Sequence, residues 1–166
     1  MELMKKYVLD LIVSSVDHIN DKYVLIKLTH AEKLPEMAPG QFVEIRIDGS
    51  ATTFLRRPIS INFVDYQANE LWLLVAAIGD GTRALAQLKA GDKLNCMLPL
   101  GNTFTIPENN GAKVLLVGGG VGVAPICCAM DAFATAESRA FFGFRTAAHA
   151  YGMTQAPCAV TAVSDD

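Results

Sequence analysis

The chain has 166 residues, half of them hydrophobic and about a fifth charged, with a formal net charge of −3. Such a length holds one good-sized domain, or one domain and part of another, and the composition is globular rather than disordered. The net charge and the absence of basic runs exclude the footprint of a nucleic-acid binder. A membrane span needs roughly 20 predominantly apolar residues, and the longest apolar stretch, around Val114 to Met130, is broken by glycines and a proline.

The first seven residues, Met1 to Tyr7, run straight into a strand-like pattern and carry no secretory apolar core, so a cytoplasmic protein is expected. Tyr7 to Val16 and Tyr23 to Thr29 read as strands, with Asp17 to Asp21 as the turn between them. Gln41 to Ile47 alternates apolar and polar residues with period two, as a half-buried strand does. Arg57 to Val64 and Leu71 to Ile78 follow as strands around a hairpin loop at Asp65 to Glu70. Thr82 to Leu88 has helical spacing stopped by Gly91-Asp92, and Lys93 to Leu98 is another strand. Six short strands at this spacing predict a small antiparallel barrel over residues 1–107.

The pattern changes after the polar linker Pro107 to Gly111. Lys113 to Val117 reads as a strand, Ala124 to Ala134 as a helix, Arg139 to Phe144 as a strand, Thr146 to Met153 as a helix and Ala159 to Val163 as a strand. Strand and helix in alternation predict half of a doubly wound nucleotide-binding lobe over residues 112–166. A dinucleotide fold normally uses five or six parallel strands, and three leave a sheet edge uncovered. The expectation is therefore a piece of a longer subunit, or a lobe whose edge a partner covers.

Four segments bear chemistry. In Arg56-Arg57-Pro58-Ile59-Ser60 a guanidinium matches the oxygens of a flavin dinucleotide's pyrophosphate, while Pro58 holds Arg57 extended. A strand with two surface arginines is the plainer alternative. Gly79-Asp80-Gly81-Thr82 opens a predicted helix, where free N–H groups and small residues suit a phosphate and Thr82 can cap the helix or bond the anion. An ordinary glycine turn is the alternative here. Leu98-Pro99-Leu100-Gly101-Asn102 is a turn after a strand. Gly118-Gly119-Gly120-Val121-Gly122 lies between a strand and a helix, the context of a nicotinamide-dinucleotide phosphate loop, and has no lysine for a triphosphate. No acidic residue ends the second strand of this lobe. Arg145 stands there instead, to meet a ribose or its phosphate, or simply solvent.

The cysteines, Cys96, Cys127, Cys128 and Cys158, have no metal-ligand spacing and read as buried thiols. His18, His30 and His149 pair with no carboxylate at a catalytic spacing. No side chain is assigned a catalytic role, and no metal site is expected from these residues.

Taken in order, Arg-Pro-Ile-Ser, Gly-Asp-Gly-Thr, Leu-Pro-Leu-Gly-Asn and Val-Gly-Gly-Gly-Val-Gly-Val-Ala-Pro resemble the ferredoxin–NADP reductase-like flavoproteins. More closely, Pro39-Gly40-Gln41-Phe42-Val43 and Leu55 to Ile61 are similar to the electron-transfer subunits of bacterial NAD-dependent dihydroorotate dehydrogenases. The resemblance is good from Tyr7 to about Pro125 and looser beyond. It implies a six-stranded antiparallel FAD-binding barrel and a partial doubly wound lobe for NAD(H). By position it implies that Arg57, Pro58, Ile59 and Ser60 contact the flavin and that Leu74, Val75 and Ala76 lie beside it. Gly81 and Thr82 would hold the pyrophosphate, and Gly119, Gly120 and Gly122 would line the nicotinamide site. It further implies cytoplasmic electron transfer to an FMN-containing dihydroorotate dehydrogenase catalytic subunit in a hetero-oligomer of pyrimidine biosynthesis. The family's 2Fe-2S cluster uses four cysteines near the C-terminus that this sequence does not present. Two rivals stay open: another reductase subunit of the superfamily, serving sulfide dehydrogenase or glutamate synthase, and a docking module without electron transfer.

Overall fold

The computed structural model describes residues 5–50, 52–106, 112–133, 137–153 and 158–166. Six strands come first: β1 (Tyr7–His18), β2 (Tyr23–Thr29), β3 (Phe42–Ile45), β4 (Arg57–Asp65), β5 (Glu70–Ala76) and, after helix α1 (Asp80–Ala86), β6 (Lys93–Leu100). They close into a barrel in the order β1-β2-β5-β4-β3-β6, every pair antiparallel. The second lobe has β7 (Lys113–Gly119), a single 3-10 turn at Gly120–Gly122, α2 (Val123–Ala129), β8 (Glu137–Phe144) and β9 (Ala159–Ser164). Its three strands are parallel, in the order β7-β8-β9. The predicted barrel and partial doubly wound lobe are both present. The predicted linker, Pro107 to Gly111, lies outside the described residues.

β2 and β5 explain how the lobes join. β5 is apolar from Leu71 to Ala76 because it is covered on two faces, and β2 is apolar apart from Lys27 and Thr29. Val24, Ile26 and Leu28 of β2 and Leu71, Leu73 and Val75 of β5 fill the barrel. Tyr23, Leu74 and Ala76 point outward into a second cluster with Leu116, Val123 and Phe142 of the α/β lobe. α2 lies against β4. Polar contacts flank this apolar seam. Asn20 Nδ2 donates to Ala148 O at 3.3 Å, His149 Nε2 lies 2.9 Å from Asp21 Oδ1, and Asn62 Nδ2 donates to the Tyr151 hydroxyl at 2.9 Å. Among the described residues no helix is long and apolar enough to cross a membrane.

Three expectations need correction. The helix predicted over Thr146 to Met153 is only a 3-10 turn at Ala147–His149, after which Ala150 turns extended (φ −61°, ψ 135°). Tertiary contacts override the helical composition: His149 is held on Asp21 and Tyr151 on Asn62. Gly152 then takes φ +80° with its Cα against Cys127. The helix predicted to run through Ala134 stops at Ala129 and gives way to a 3-10 turn at Asp131–Phe133, while Ala134 itself lies outside the described residues. The first barrel helix begins at Asp80, not Thr82, because Gly79 is its N-cap.

Replacing Leu73, fully buried in the barrel, by alanine is expected to cost about 2–5 kcal/mol by urea denaturation. A loss under about 1 kcal/mol would show that the interior is not packed as described.

Burial also makes stability sensitive to alkali. It pushes the Tyr151 phenol up to about 12, the Cys127 and Cys128 thiols to about 11 and the Cys96 thiol to about 12. The folded chain keeps these protons longer than the unfolded chain, whose thiols ionise near 9 and phenols near 10. Stability carried by these groups is therefore complete below pH 9 and falls as pH rises toward 12. Urea midpoints should be level from pH 7 to 9 and decline above it. A midpoint that holds to pH 11 would contradict this.

Candidate functional site

The two neighbouring arginines at the head of β4 are put to different uses. Arg56 turns back into the barrel wall. Its Nη1 donates to Asn95 O at 2.9 Å and Glu44 O at 3.2 Å, and its Nη2 reaches Asn95 Oδ1. It ties β4 to β3 and β6. Arg57 turns the other way. Only its Nε is engaged, donating to Arg56 O at 3.1 Å. Among the described residues its two terminal nitrogens meet no acceptor.

Arg57 reaches its position by crossing Gly81. A Cβ on Gly81 would stand 3.0 Å from Arg57 Cδ and 3.1 Å from both Arg57 Cγ and Thr53 Cγ2. A Cβ at Gly81 would make the arginine stem and Thr53 give by a few tenths of an ångström, so glycine lets the stem lie close on the first turn of α1. Beside it opens a cleft of about 340 Å³ between the Thr52–Leu55 loop, Arg57 and Asp80-Gly81. The Asp80 carboxylate at its edge is occupied, accepting from Thr52 Oγ1 at 3.2 Å and lying 3.6 Å from Arg83 Nη1. The Thr82 hydroxyl is folded back on its own helix start. It accepts the N–H groups of Ile78 and Gly79 at 3.1 and 3.0 Å and donates to Gly79 O. Thr82 thus settles the N-cap N–H of Gly79, a donor that a helix start leaves free.

The other predicted barrel residues divide by face. Pro58 is exposed and Ser60 half-buried on β4. Ile59 and Val75 point into the barrel core, so only their backbones can meet a ligand. Leu74 and Ala76 face the second lobe.

In that lobe the glycine loop sits where β7 ends. Gly118 is packed on Val123, the first residue of α2. Gly120 adopts φ +54°, and a Cβ there would stand 3.2 Å from the Tyr23 hydroxyl of the barrel. A Cβ on Gly119 or Gly122 would meet nothing within 4 Å, so these two residues present bare backbone to the surface. Arg145 follows β8, whose Gly143 pairs with Gly119. Burial raises the Tyr23 phenol, and the Arg145 charge partly opposes this. The glycine loop, Arg145 and Tyr23 therefore gather at the C-terminal ends of the parallel strands, where open α/β sheets hold their ligands. Tyr23 pairs with Ala76, and three residues beyond Ala76 stands Gly79, the N-cap of α1. One end of β5 carries both halves of the site.

Comparison with known proteins places the fold. No protein-family model matches the chain. The described structure matches Amycolatopsis cytochrome P450 reductase GcoB with a TM-score of 0.81 at 26% identity, over 99% of this chain and 53% of that one. This is the ferredoxin reductase-like fold. Phthalate dioxygenase reductase shares it (TM-score 0.79, 19% identity, 95% of this chain and 52% of that one). Among curated proteins the chain is similar to the dihydroorotate dehydrogenase B (NAD(+)) electron transfer subunit of Lysinibacillus sphaericus. That protein is 42% identical over 98 residues, which are 58% of this chain and 38% of the relative. The subunit of the same name from Shouchella clausii is 38% identical over 117 residues, 69% of this chain and 44% of the relative. The chain spans less than half the length of these curated relatives. Its motif-level likeness to those subunits is borne out at this level of identity.

Sequence reasoning missed Tyr23 and the Thr52–Leu55 loop. Tyr23 reads as an ordinary strand aromatic, and its contact with Gly120 depends on lobe packing. The one local signal in the loop was Phe54-Leu55, an apolar pair beside a turn, which the structure leaves 89% and 74% exposed.

The divided roles of the arginines predict opposite outcomes. Arg56→Ala strips donors from part-buried carbonyls and should cost about 1.5–3 kcal/mol in chemical denaturation. Arg57→Ala should change stability by no more than about 0.5 kcal/mol. The reverse order would mean the assignments are exchanged.

Proposed function

We propose that the chain is the flavin-bearing part of an electron-transfer subunit that moves electrons between NAD(H) and a dihydroorotate-oxidising FMN subunit of pyrimidine biosynthesis. The observation that carries the reading is the Arg57 stem lying across Gly81 with its guanidinium free at the cleft. A pyrophosphate offers the paired oxygens that such a fork matches, and the bare Gly81 backbone leaves room for it. The names of the curated relatives support the choice of partner, and the fold supports FAD with NAD(H).

In this reading residues 1–107 form the FAD domain and residues 112–166 belong to the NAD(H) lobe. Arg57 holds the pyrophosphate, with the Gly81 N–H beside it and Thr82 fixing the helix start. Ser60 and the backbones of Pro58, Ile59, Leu74, Val75 and Ala76 border the flavin ring. Gly119, Gly120 and Gly122 give the nicotinamide dinucleotide a side-chain-free approach, and Arg145 meets its ribose end. Bound FAD supplies the redox chemistry by exchanging a hydride with the nicotinamide and electrons with the next carrier. The chain's contribution would be alignment: the β4–β5 wall would hold the flavin and the glycine loop the nicotinamide dinucleotide. No side chain is needed as acid or base. The setting of this reading is a cytoplasmic hetero-oligomer with the FMN-containing catalytic subunit.

An absorption spectrum of the purified protein, before and after anaerobic NADH, tests the reading. Flavin bands that bleach with NADH are expected. Bands that bleach only with dithionite would confine the function to the barrel, and no bands after adding FAD would favour a docking module without electron transfer. Arg57→Ala should weaken FAD binding about 10- to 100-fold. Unchanged FAD affinity would remove the pyrophosphate assignment.

A further inference from the structure

At the head of β2, Tyr23 crosses the seam and brings a hydroxyl to the glycine loop of the other lobe. Only 3% of the residue is exposed. Its ring is buried with Leu74, Leu116, Val123 and Phe142 and meets the His149 ring at a centroid distance of 5.7 Å. Lys22 Nζ lies over the ring, 5.7 Å from its centroid. The Tyr23 backbone N–H donates to Asn20 Oδ1 at 2.8 Å. The ring is therefore fixed, and so is the place of its hydroxyl: a Cβ on Gly120 would stand 3.2 Å from it. Gly120 has φ +54°, and a side chain there would cover the phenol oxygen that glycine leaves bare.

That hydroxyl serves nothing in the fold. Among the described residues it has no hydrogen-bond partner. Nor is it sealed away, because Asn62 Oδ1 is the single described buried side-chain polar atom that lacks both solvent and a partner. Burial of the ring raises the phenol above its ordinary value, and the Arg145 charge works the other way. The hydroxyl thus keeps its proton at neutral pH and is a donor. An O–H on a fixed ring, with a guanidinium in electrostatic reach and bare glycine backbone beside it, is complementary to an anionic oxygen. A hydrogen bond to a charged acceptor is about twice as strong as a neutral one. A ring already immobilised loses no side-chain freedom when it binds.

We propose that the Tyr23 hydroxyl donates to a pyrophosphate oxygen of the nicotinamide dinucleotide seated on the glycine loop. The inference rests on the reading of that loop as the dinucleotide site and adds a contact from the barrel. The pyrophosphate is the part concerned because it sits at the glycine turn between a parallel strand and its helix, and Gly120 belongs to that turn. Since Tyr23 is rooted in β2, this hydrogen bond spans the seam. A nucleotide held in this way ties its own lobe to the barrel.

Tyr23→Phe keeps the ring and removes only the hydroxyl. FAD-loaded wild type and variant are titrated by calorimetry with two ligands. NAD(+) leaves oxidised flavin unreacted, and ADP-ribose keeps the pyrophosphate but lacks the nicotinamide. The variant should bind both about tenfold more weakly, with its urea midpoint and FAD affinity unchanged. Equal affinity of wild type and variant for NAD(+) would overturn the Tyr23 contact and leave the glycine loop as the nucleotide site. A loss confined to NAD(+), with ADP-ribose unaffected, would put the contact on the nicotinamide half and overturn the proposal. A lowered urea midpoint in the variant would show that the hydroxyl serves the fold and would overturn it as well. Binding of neither ligand by the wild type would remove the reading of the loop, and the Tyr23 contact with it.

Discussion

The structure depends on a wall that is apolar on both sides. β5 fills the barrel with Leu71, Leu73 and Val75 and seats the α/β lobe with Leu74 and Ala76, while β2 fills the barrel beside it and adds Tyr23 to the seat. Period-two geometry makes this economical: a strand presents successive residues to opposite faces. Val75 can therefore be barrel core while its neighbours Leu74 and Ala76 belong to the lobe interface. The same wall brings Tyr23 to Gly120 and ends at the turn into α1, so the Arg57 cleft and the glycine loop are set by one element. A one-residue slip of β5 would exchange its two sets of side chains and disturb both halves of the site together.

Adjacent arginines show how a short motif separates structure from chemistry. Arg56 meets three oxygens of the barrel wall, while among the described residues Arg57 has one internal hydrogen bond, to Arg56 O. Extended backbone sends neighbouring side chains to opposite sides, and Pro58 holds Arg57 in that conformation. A guanidinium committed to the fold cannot also grip an incoming anion. The free one is poised because its stem is immobilised on Gly81 and its head is not.

Much of this was legible in the sequence. Arg57, Gly81 and the glycine loop stand out in residue types whose structural reasons are local: a fork, a missing Cβ, a strand-to-helix turn. The six barrel strands were legible for the same reason, since turns and alternation are read within a few residues. Long-range contacts were not. The helix expected at Thr146 to Met153 has suitable composition, but Asp21 and Asn62, more than 80 residues earlier, hold His149 and Tyr151 in a mostly non-helical segment. The inward faces of Ile59 and Val75 follow from barrel closure, and the bulge at Asn62 from pairing with β5. Neither leaves a mark that period or composition would show.

The two lobes are unequally self-sufficient, and this bears on what each can do. A closed barrel has no free edge, and its interior is complete among the described strands. The three-stranded sheet is covered on one face by α2 and the barrel. On its other face Leu115, Val117, Phe141 and Val163 remain 42–64% exposed, although parallel sheets are ordinarily covered on both sides. The lobe's packing is therefore concentrated on the seam with the barrel, through Leu116, Phe142 and Val123. A ligand gripped by the barrel alone draws on a finished scaffold. One that bridges Tyr23 and Gly120 depends on the seam, so the alignment of the two halves of the site is only as firm as the contact between the lobes.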